Sequence, residues 1–158
     1  MSVRISTESL RQIPLFAECD AAHLQIMAFS SERVEFAAGA DLFRAGSSGS
    51  AAYLLLSGEA EVWRSQGEER IAVATARPGA FLGELAMIAG VAYSVNVTAK
   101  SPITATRITR EVFMRVVREF PDFGAKVMSV LSGRLTGSVS EFDRVRQMLE
   151  KAPTFPRR

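Results

Sequence analysis

The segment of this chain with the clearest chemical potential is GELAMIAGVAYSVNVTA, residues 83–99. It begins with Gly83 and the carboxylate of Glu84 and continues with the small and apolar residues of a short helix. A glycine permits close backbone approach, and the free N–H groups at the start of a helix attract an anion. The segment contains no lysine or arginine. The pattern therefore predicts a phosphate-holding loop that lacks a cation of its own.

The N-terminal residues that precede this region predict two helices within residues 7–30. Pro14 interrupts the pattern, and Asp20 is a suitable N-cap for the second helix. The apolar residues expected on one face of that helix are Leu24, Met27 and Ala28.

Residues 34–108 have a different pattern, in which short apolar runs alternate with glycines. The runs AYLLLSGEAEVWR, RIAVATA, YSVNVTA and ITATRI predict strands, and QGEE is a plausible hairpin turn between the first two. Many short strands with closely spaced turns are typical of an antiparallel β-roll, barrel or sandwich. The sequence as a whole therefore predicts an α+β fold.

The residues after Thr109 return to helical spacing, with an apolar set at Val112, Phe113, Val116 and Val117 that ends before Pro121. A longer helix is predicted from about residue 122 to residue 150. Its residues at steps of four and three are Leu131, Leu135, Ser138, Phe142, Val145 and Leu149. This heptad-like spacing favours a seam between two copies of the chain over packing within one copy.

Composition limits the classes of function. Cys19 is the only cysteine and His23 the only histidine of the 158 residues, which excludes an intramolecular disulfide, a zinc cluster of cysteines, a metal site with two or more histidines and a histidine-dependent nucleophile. We expect His23 to be an ordinary surface or half-buried residue and the protein not to be an enzyme. With no long apolar run and no secretion signal, we expect a cytoplasmic protein without a membrane span.

Charge is unevenly distributed along the chain. Residues 1–106 carry 8 basic and 11 acidic side chains, whereas residues 107–158 carry 11 basic and 6 acidic ones. A basic C-terminal third can attract nucleic acid or an acidic partner, although a helix with a solvated cationic face explains it as well, and we favour the latter.

The glycine pattern resembles that of the cyclic-nucleotide-binding domain family, and the resemblance covers roughly residues 8–149. The matching positions are Gly39, Leu42, Phe43, Gly46, Gly49, Tyr53, Leu55, Gly58 and Val62, followed by PGAFLGELAMIAG. The resemblance implies a β-roll between N-terminal helices and a long C-terminal helix, as in the sensor half of catabolite activator protein-like regulators. The implied layout is a single domain with helices in 1–33, the roll in 34–108 with a phosphate-binding cassette at 81–97, helices in 109–150 and a flexible tail in 151–158.

The same resemblance implies a ligand site made of Gly83, Glu84, Leu85, Ala86, Tyr93, Ser94 and Val95. In the family, the matching glutamate accepts a hydrogen bond from the ribose, and an arginine nine residues later pairs with the cyclic phosphate. This chain has Tyr93 at the arginine position. Losing one member of a buried ion pair costs about 3–5 kcal/mol. We therefore expect cyclic AMP or cyclic GMP to bind weakly or not at all.

Two residues of this site have alternative explanations. Tyr93 is either a turn residue whose ring fills the space of the missing arginine or a stacking wall for a different ligand. Glu84 stabilises the first turn of its helix whether or not a ribose is present.

Two functions are consistent with the sequence. The first is a sensor in which a small ligand in the roll moves the C-terminal helices, with output through dimerisation or a separate partner. The second is a homodimeric interaction module that has lost ligand binding. We expect no direct DNA binding, because only about eight residues follow the long helix.

Overall fold

The computed structural model of the chain describes residues 6–137, with side chains as far as Ser132. Five α-helices and one short 3-10 helix lie in this range. The helices are α1 (Thr7–Arg11), a 3-10 helix (Pro14–Phe16), α2 (Ala21–Ser30), α3 (Glu84–Ala89), α4 (Arg110–Glu119) and α5 (Pro121–Gly137). No helix within the described range is long and apolar enough to cross a lipid bilayer.

Eight strands form two four-stranded sheets in which every strand pair is antiparallel. The strands are β1 (Glu32–Phe36), β2 (Asp41–Phe43), β3 (Ala51–Ser57), β4 (Ala60–Gln66), β5 (Glu69–Ala76), β6 (Phe81–Leu82), β7 (Asn96–Ala99) and β8 (Ile103–Thr109). One sheet has the order β1-β8-β3-β6 and the other the order β2-β7-β4-β5. The predicted α+β fold, an antiparallel roll flanked by helices, is confirmed.

Strand β3 links the two hydrophobic cores of the molecule. Ala51, Tyr53 and Leu55 face the core inside the roll, while Ala52 and Leu54 face the core under the helices. Successive side chains of a strand point to opposite faces, so a strand buried on both sides needs a continuous apolar run. The run AAYLL at the start of β3 is such a sequence, and all five residues are buried.

The N-terminal helices form as their sequence predicts. Helix α1 ends before Pro14, and α2 begins after Asp20, whose backbone is extended. The carboxylate of Asp20 makes no capping bond but accepts one from Lys126 of α5 at 3.0 Å. The three residues expected on the inner face of α2, Leu24, Met27 and Ala28, are buried.

The helices after the roll complete the core under β3. The Thr109 hydroxyl accepts a hydrogen bond from the Val112 N–H and caps α4, which buries Phe113 and Val116. Helix α5 buries Phe123 and Val127, which lie about one helical turn apart on the same face of the helix. His23 is half-buried, and its ring stacks on that of Phe120 at a centroid distance of 4.4 Å.

The first residue of the predicted dimer seam packs inside the core of its own chain, rather than at a surface left for a second copy. Leu131 is 8% exposed and packs in the protomer's own core, because it lies one helical turn after Val127 on the inward face of α5. The backbone of Leu135 continues the same helix. The remaining seam residues, Ser138, Phe142, Val145 and Leu149, lie outside the described residues, as does the tail at 151–158.

Candidate functional site

The cassette begins at a tight turn in which Gly83 has a positive φ of 81°. A Cβ at this position would lie 3.0 Å from Cε1 of Tyr93 and 3.3 Å from the carbonyl oxygen of Ala51. The position therefore favours glycine both for its backbone conformation and for the closeness of its neighbours. Helix α3 follows at once and buries Ala86 and Met87.

Tyr93 fixes the far end of the cassette to strand β3. Its side chain is only 4% exposed. The hydroxyl donates a hydrogen bond to the carbonyl oxygen of Ala51 at 2.6 Å and accepts one from the N–H of the same residue at 3.2 Å. Burial raises the pKa of the Tyr93 phenol above its usual range, so the hydroxyl stays protonated and able to donate well beyond neutral pH.

The hydroxyl of Tyr93 thus bonds to both backbone groups of Ala51, as a neighbouring strand would do. Beside β3, the short strand β6 pairs only with Tyr53 and Leu54. Ala51 is fully buried, and a buried backbone N–H and C=O without partners would each cost free energy. Both groups of Ala51 are satisfied by a single side chain from the cassette.

The ring of Tyr93 is also held in place. It stacks on the ring of Phe43 with a centroid distance of 3.9 Å and an angle of 14°. The backbone of Tyr93 is bound on both sides, because its N–H donates to Ser47 and its carbonyl accepts from Gly46, each at 2.9 Å. The predicted strand YSVNVTA begins only at Asn96, because Tyr93 bonds to the loop before β3 and the pairing with β4 starts at Asn96.

The structure brings all of the predicted ligand-site residues to one small cavity. Its volume is about 150 Å³, and its lining consists of Gly83, Glu84, Leu85, Ala86, Tyr93, Ser94, Val95 and Phe43. Pockets for small ligands usually measure about 300–1,000 Å³. The cavity beside the Tyr93 ring is smaller than that range.

No cationic side chain lines this cavity among the described residues. Arg77, which lies shortly before the cassette in the sequence, pairs with Glu59 at 3.3 Å. Lys100, which follows the cassette in the sequence, is exposed and is not part of the lining. Arg44 and Arg64 line a separate cavity that shares Ser94 with this one.

Sequence reasoning missed two partners in the site. Phe43 matches the family's apolar pair, but nothing in that pattern indicates that its ring stacks on Tyr93. Ala51 contributes only backbone atoms, so its residue type carries no signal of the contact. Gly49 matches the family's glycine pattern, and the structure shows that it packs against the cassette: a Cβ there would lie 2.5 Å from the Val91 carbonyl oxygen.

The end of the cassette helix is joined to the C-terminal helices by Arg110. Its guanidinium donates hydrogen bonds to the carbonyl oxygens of Met87 and Ile88, the latter at 2.7 Å. A Cβ on Gly90 would lie 2.9 Å from Cζ of this arginine, so the glycine leaves room for it. A cation near the end of a helix also interacts favourably with the exposed carbonyls.

Comparison with known proteins matches the cyclic nucleotide-binding domain family to residues 33–120. The chain is 30% identical over 113 residues to a cAMP-dependent protein kinase regulatory subunit of Aspergillus fumigatus, covering 72% of this chain and 27% of that protein. It therefore spans about a quarter of the length of this relative.

Solved structures with the same fold include two bacterial proteins. A cyclic nucleotide-binding-like protein from Brucella abortus has a TM-score of 0.66 and 31% identity, over 72% of this chain and 97% of that one. The N-terminal domain of a transcriptional regulator from Streptomyces coelicolor has a TM-score of 0.75 and 22% identity, over 82% and 93%. The family match covers more than half of the chain, and this chain belongs to the cyclic nucleotide-binding domain family.

Proposed function

We propose that this chain is a non-enzymatic regulatory domain whose phosphate position is filled by its own Tyr93. In this proposal the cassette is held against β3 without a nucleotide, and cyclic AMP or cyclic GMP bind weakly or not at all. The observation that carries it is the pair of hydrogen bonds between the Tyr93 hydroxyl and the backbone of Ala51.

Electrostatics and space both support the proposal. The phosphate diester of a cyclic nucleotide is an anion, and its burial requires a charged partner or several strong donors. The described residues lining the cavity include Ser94 as a neutral donor and no cation. A nucleotide would also have to displace a ring that stacks on Phe43. Binding would therefore break existing contacts without gaining an ion pair.

Isothermal titration with cyclic AMP and cyclic GMP tests this proposal. We expect the wild type to bind both with dissociation constants in the millimolar range or weaker. We expect Tyr93→Arg to bind at least about tenfold more tightly, equivalent to about 1.4 kcal/mol, because it opens the cavity and supplies the missing cation. The matched control is Tyr93→Gln, which also removes the ring but adds no charge.

Comparison of the wild type with Tyr93→Arg and Tyr93→Gln separates the effect of the added charge from the effect of removing the ring. A gain in the arginine variant that exceeds the gain in the glutamine variant supports the electrostatic argument. Micromolar binding by the wild type would show that neutral donors replace the arginine, and the proposal would be wrong.

A ligand-driven sensor is the second candidate function, and the Arg110 contact favours it. Arg110 is the first residue of α4 and bonds to the carbonyls of α3. A movement of α3 upon ligand binding would therefore be transmitted directly to α4. Output would then pass through the C-terminal helices to a separate partner or to a second copy of the chain.

We also propose that the domain is a homodimer through the helix that begins as α5. The inward stripe Phe123, Val127 and Leu131 packs on the core, and Leu135 follows at the same spacing. The predicted seam residues continue this apolar spacing in the sequence, and a second copy of the chain would supply a surface to cover them.

The dimer proposal predicts that Leu135→Asp produces a monomer, because it places an unpaired charge in the seam. Static light scattering after size-exclusion chromatography measures the mass directly. Ser129→Asp, which adds the same charge to an exposed position of α5, is expected to remain dimeric. A wild type that is monomeric at tens of micromolar would contradict the proposal.

A further inference from the structure

A second cavity adjoins the cassette at Ser94 and has a volume of about 570 Å³. This size lies within the usual range of about 300–1,000 Å³ for small-molecule sites. The cavity is formed by the end of β2, the end of β4 and the residues that precede β7. Its lining residues are Arg44, Ala45, Arg64, Ser65, Gln66, Ser94 and Asn96.

The lining of this cavity is suited to an anion. It contains two guanidinium groups, two hydroxyls and two amides, and none of its described lining residues is acidic. Arg44 is partly neutralised by Asp41, whose carboxylate lies 3.1 Å away. Arg64 is exposed and has no carboxylate within 4 Å in the described part of the chain. The cavity therefore has a surplus of positive charge.

One wall of the cavity is fixed by a buried side chain. Asn96 is 5% exposed, and its amide oxygen accepts a hydrogen bond from the N–H of Ala45 at 2.8 Å. Its amide nitrogen lies 3.5 Å from the carbonyl oxygen of Trp63. Asn96 thereby ties the residues after β2 to β4 and keeps the part of the chain that carries Arg44 near the part that carries Arg64.

We propose that this cavity binds the phosphate group of a small phosphorylated ligand, with Arg64 as the principal cation and Arg44 as the second. Arginine presents a planar set of donors that matches phosphate oxygens in a bidentate geometry. Ser94 stands at the border of the two cavities and supplies a hydroxyl donor. The inference goes beyond the proposed function, because it assigns a different site and does not require the cassette to open.

The first experiment titrates the full chain with 5′-AMP, inorganic phosphate and adenosine at low ionic strength. We expect 5′-AMP and phosphate to bind and adenosine, which has no phosphate, not to bind. Because the cavity is open to solvent, the affinity is expected to fall as salt is added. Failure of 5′-AMP and phosphate to bind at millimolar concentrations would overturn the proposal.

The second experiment locates the site with charge-removing variants. Arg64→Gln is expected to weaken 5′-AMP binding by about tenfold or more, which is the usual effect of losing a hydrogen bond to a charged group. Arg44→Gln is expected to weaken it less, because Arg44 is already paired with Asp41. The control is Arg77→Gln, which removes another exposed arginine that lies outside the cavity and is expected to bind like the wild type.

The binding of 5′-AMP to the Arg64 and Tyr93 variants distinguishes a ligand in this cavity from a ligand in the cassette. If 5′-AMP binding is unchanged in Arg64→Gln and altered in Tyr93→Gln, the ligand occupies the cassette and the present proposal is wrong. If Arg64→Gln weakens binding and the Tyr93 variants do not, the proposed site is supported whatever the cassette binds. Equal weakening in Arg64→Gln and Arg77→Gln would indicate only a general charge effect and would also overturn the proposal.

Discussion

Replacing Tyr93 with alanine is expected to lower the free energy of unfolding by about 3–5 kcal/mol, as for other large aromatic side chains removed from a core. The ring is buried against Phe43 and Gly83, so its removal leaves a cavity that its neighbours fill only in part. The same change removes the hydroxyl that bonds to both polar backbone groups of Ala51. Urea denaturation followed by circular dichroism measures the loss.

The contribution of the hydroxyl is isolated by Tyr93→Phe. We expect the free energy of unfolding of this variant to fall by about 1–3 kcal/mol, because the buried N–H and C=O of Ala51 lose their shared partner. Hydrogen exchange of the Ala51 amide is expected to accelerate in the same variant. Tyr53→Phe is a suitable control, since the Tyr53 hydroxyl accepts a single, longer bond of 3.3 Å from Arg107. Equal stability of Tyr93→Phe and the wild type would show that the hydroxyl does not hold the cassette.

Gly49→Ala is the second variant for which we expect a large effect. It should lower the free energy of unfolding by about 3 kcal/mol, which is at the upper end for an overpacked position. The new Cβ would lie 2.5 Å from the carbonyl oxygen of Val91 and 2.6 Å from Cβ of Ala86. Both neighbours belong to the cassette, and the carbonyl is a backbone atom that moves only with its chain. The cassette must therefore shift away from the loop before β3, and we expect faster exchange of the Ala51 amide.

Gly46→Ala is the control for this variant because it changes the same loop without a steric clash. Gly46 has a φ of 90°, and a Cβ there would meet no atom within 4 Å. We expect Gly46→Ala to lower the free energy of unfolding by about 1–2 kcal/mol, which is the effect of the unfavourable backbone conformation alone. Unchanged Ala51 exchange in Gly49→Ala would contradict the close packing of the loop on the cassette.

Most of the fold follows from local patterns in the sequence. The proline after α1, the apolar spacing of α4 and the glycines between the strands each act within a few residues, so they can be recognised in the sequence without the structure. The site residues were also predicted as a group, because the cassette is one continuous segment that a turn and a short helix fold back on itself. Residues 83–86 and 93–95 consequently line one cavity.

Other features depend on contacts between distant parts of the chain. The bond from Tyr93 to Ala51 joins residues 42 positions apart and uses the backbone of an alanine, so no residue type signals it. Leu131 has the spacing of a seam residue, but the same spacing also suits the core-facing stripe of a helix, and only the position of α5 against α4 and the 3-10 helix distinguishes the two. Arg44 follows β2 and Arg64 lies on β4, and the two line one cavity because β7 pairs with both of these strands.

The central claim is that Tyr93 occupies the place where a cyclic nucleotide would put its phosphate. A crystal structure of the wild type grown with an excess of cyclic AMP tests this claim most directly. We predict electron density for the Tyr93 ring against Phe43, with its hydroxyl bonded to Ala51 and no nucleotide between Gly83 and Ser94. A nucleotide phosphate bound at the start of α3, with Tyr93 displaced from Ala51, would contradict the claim.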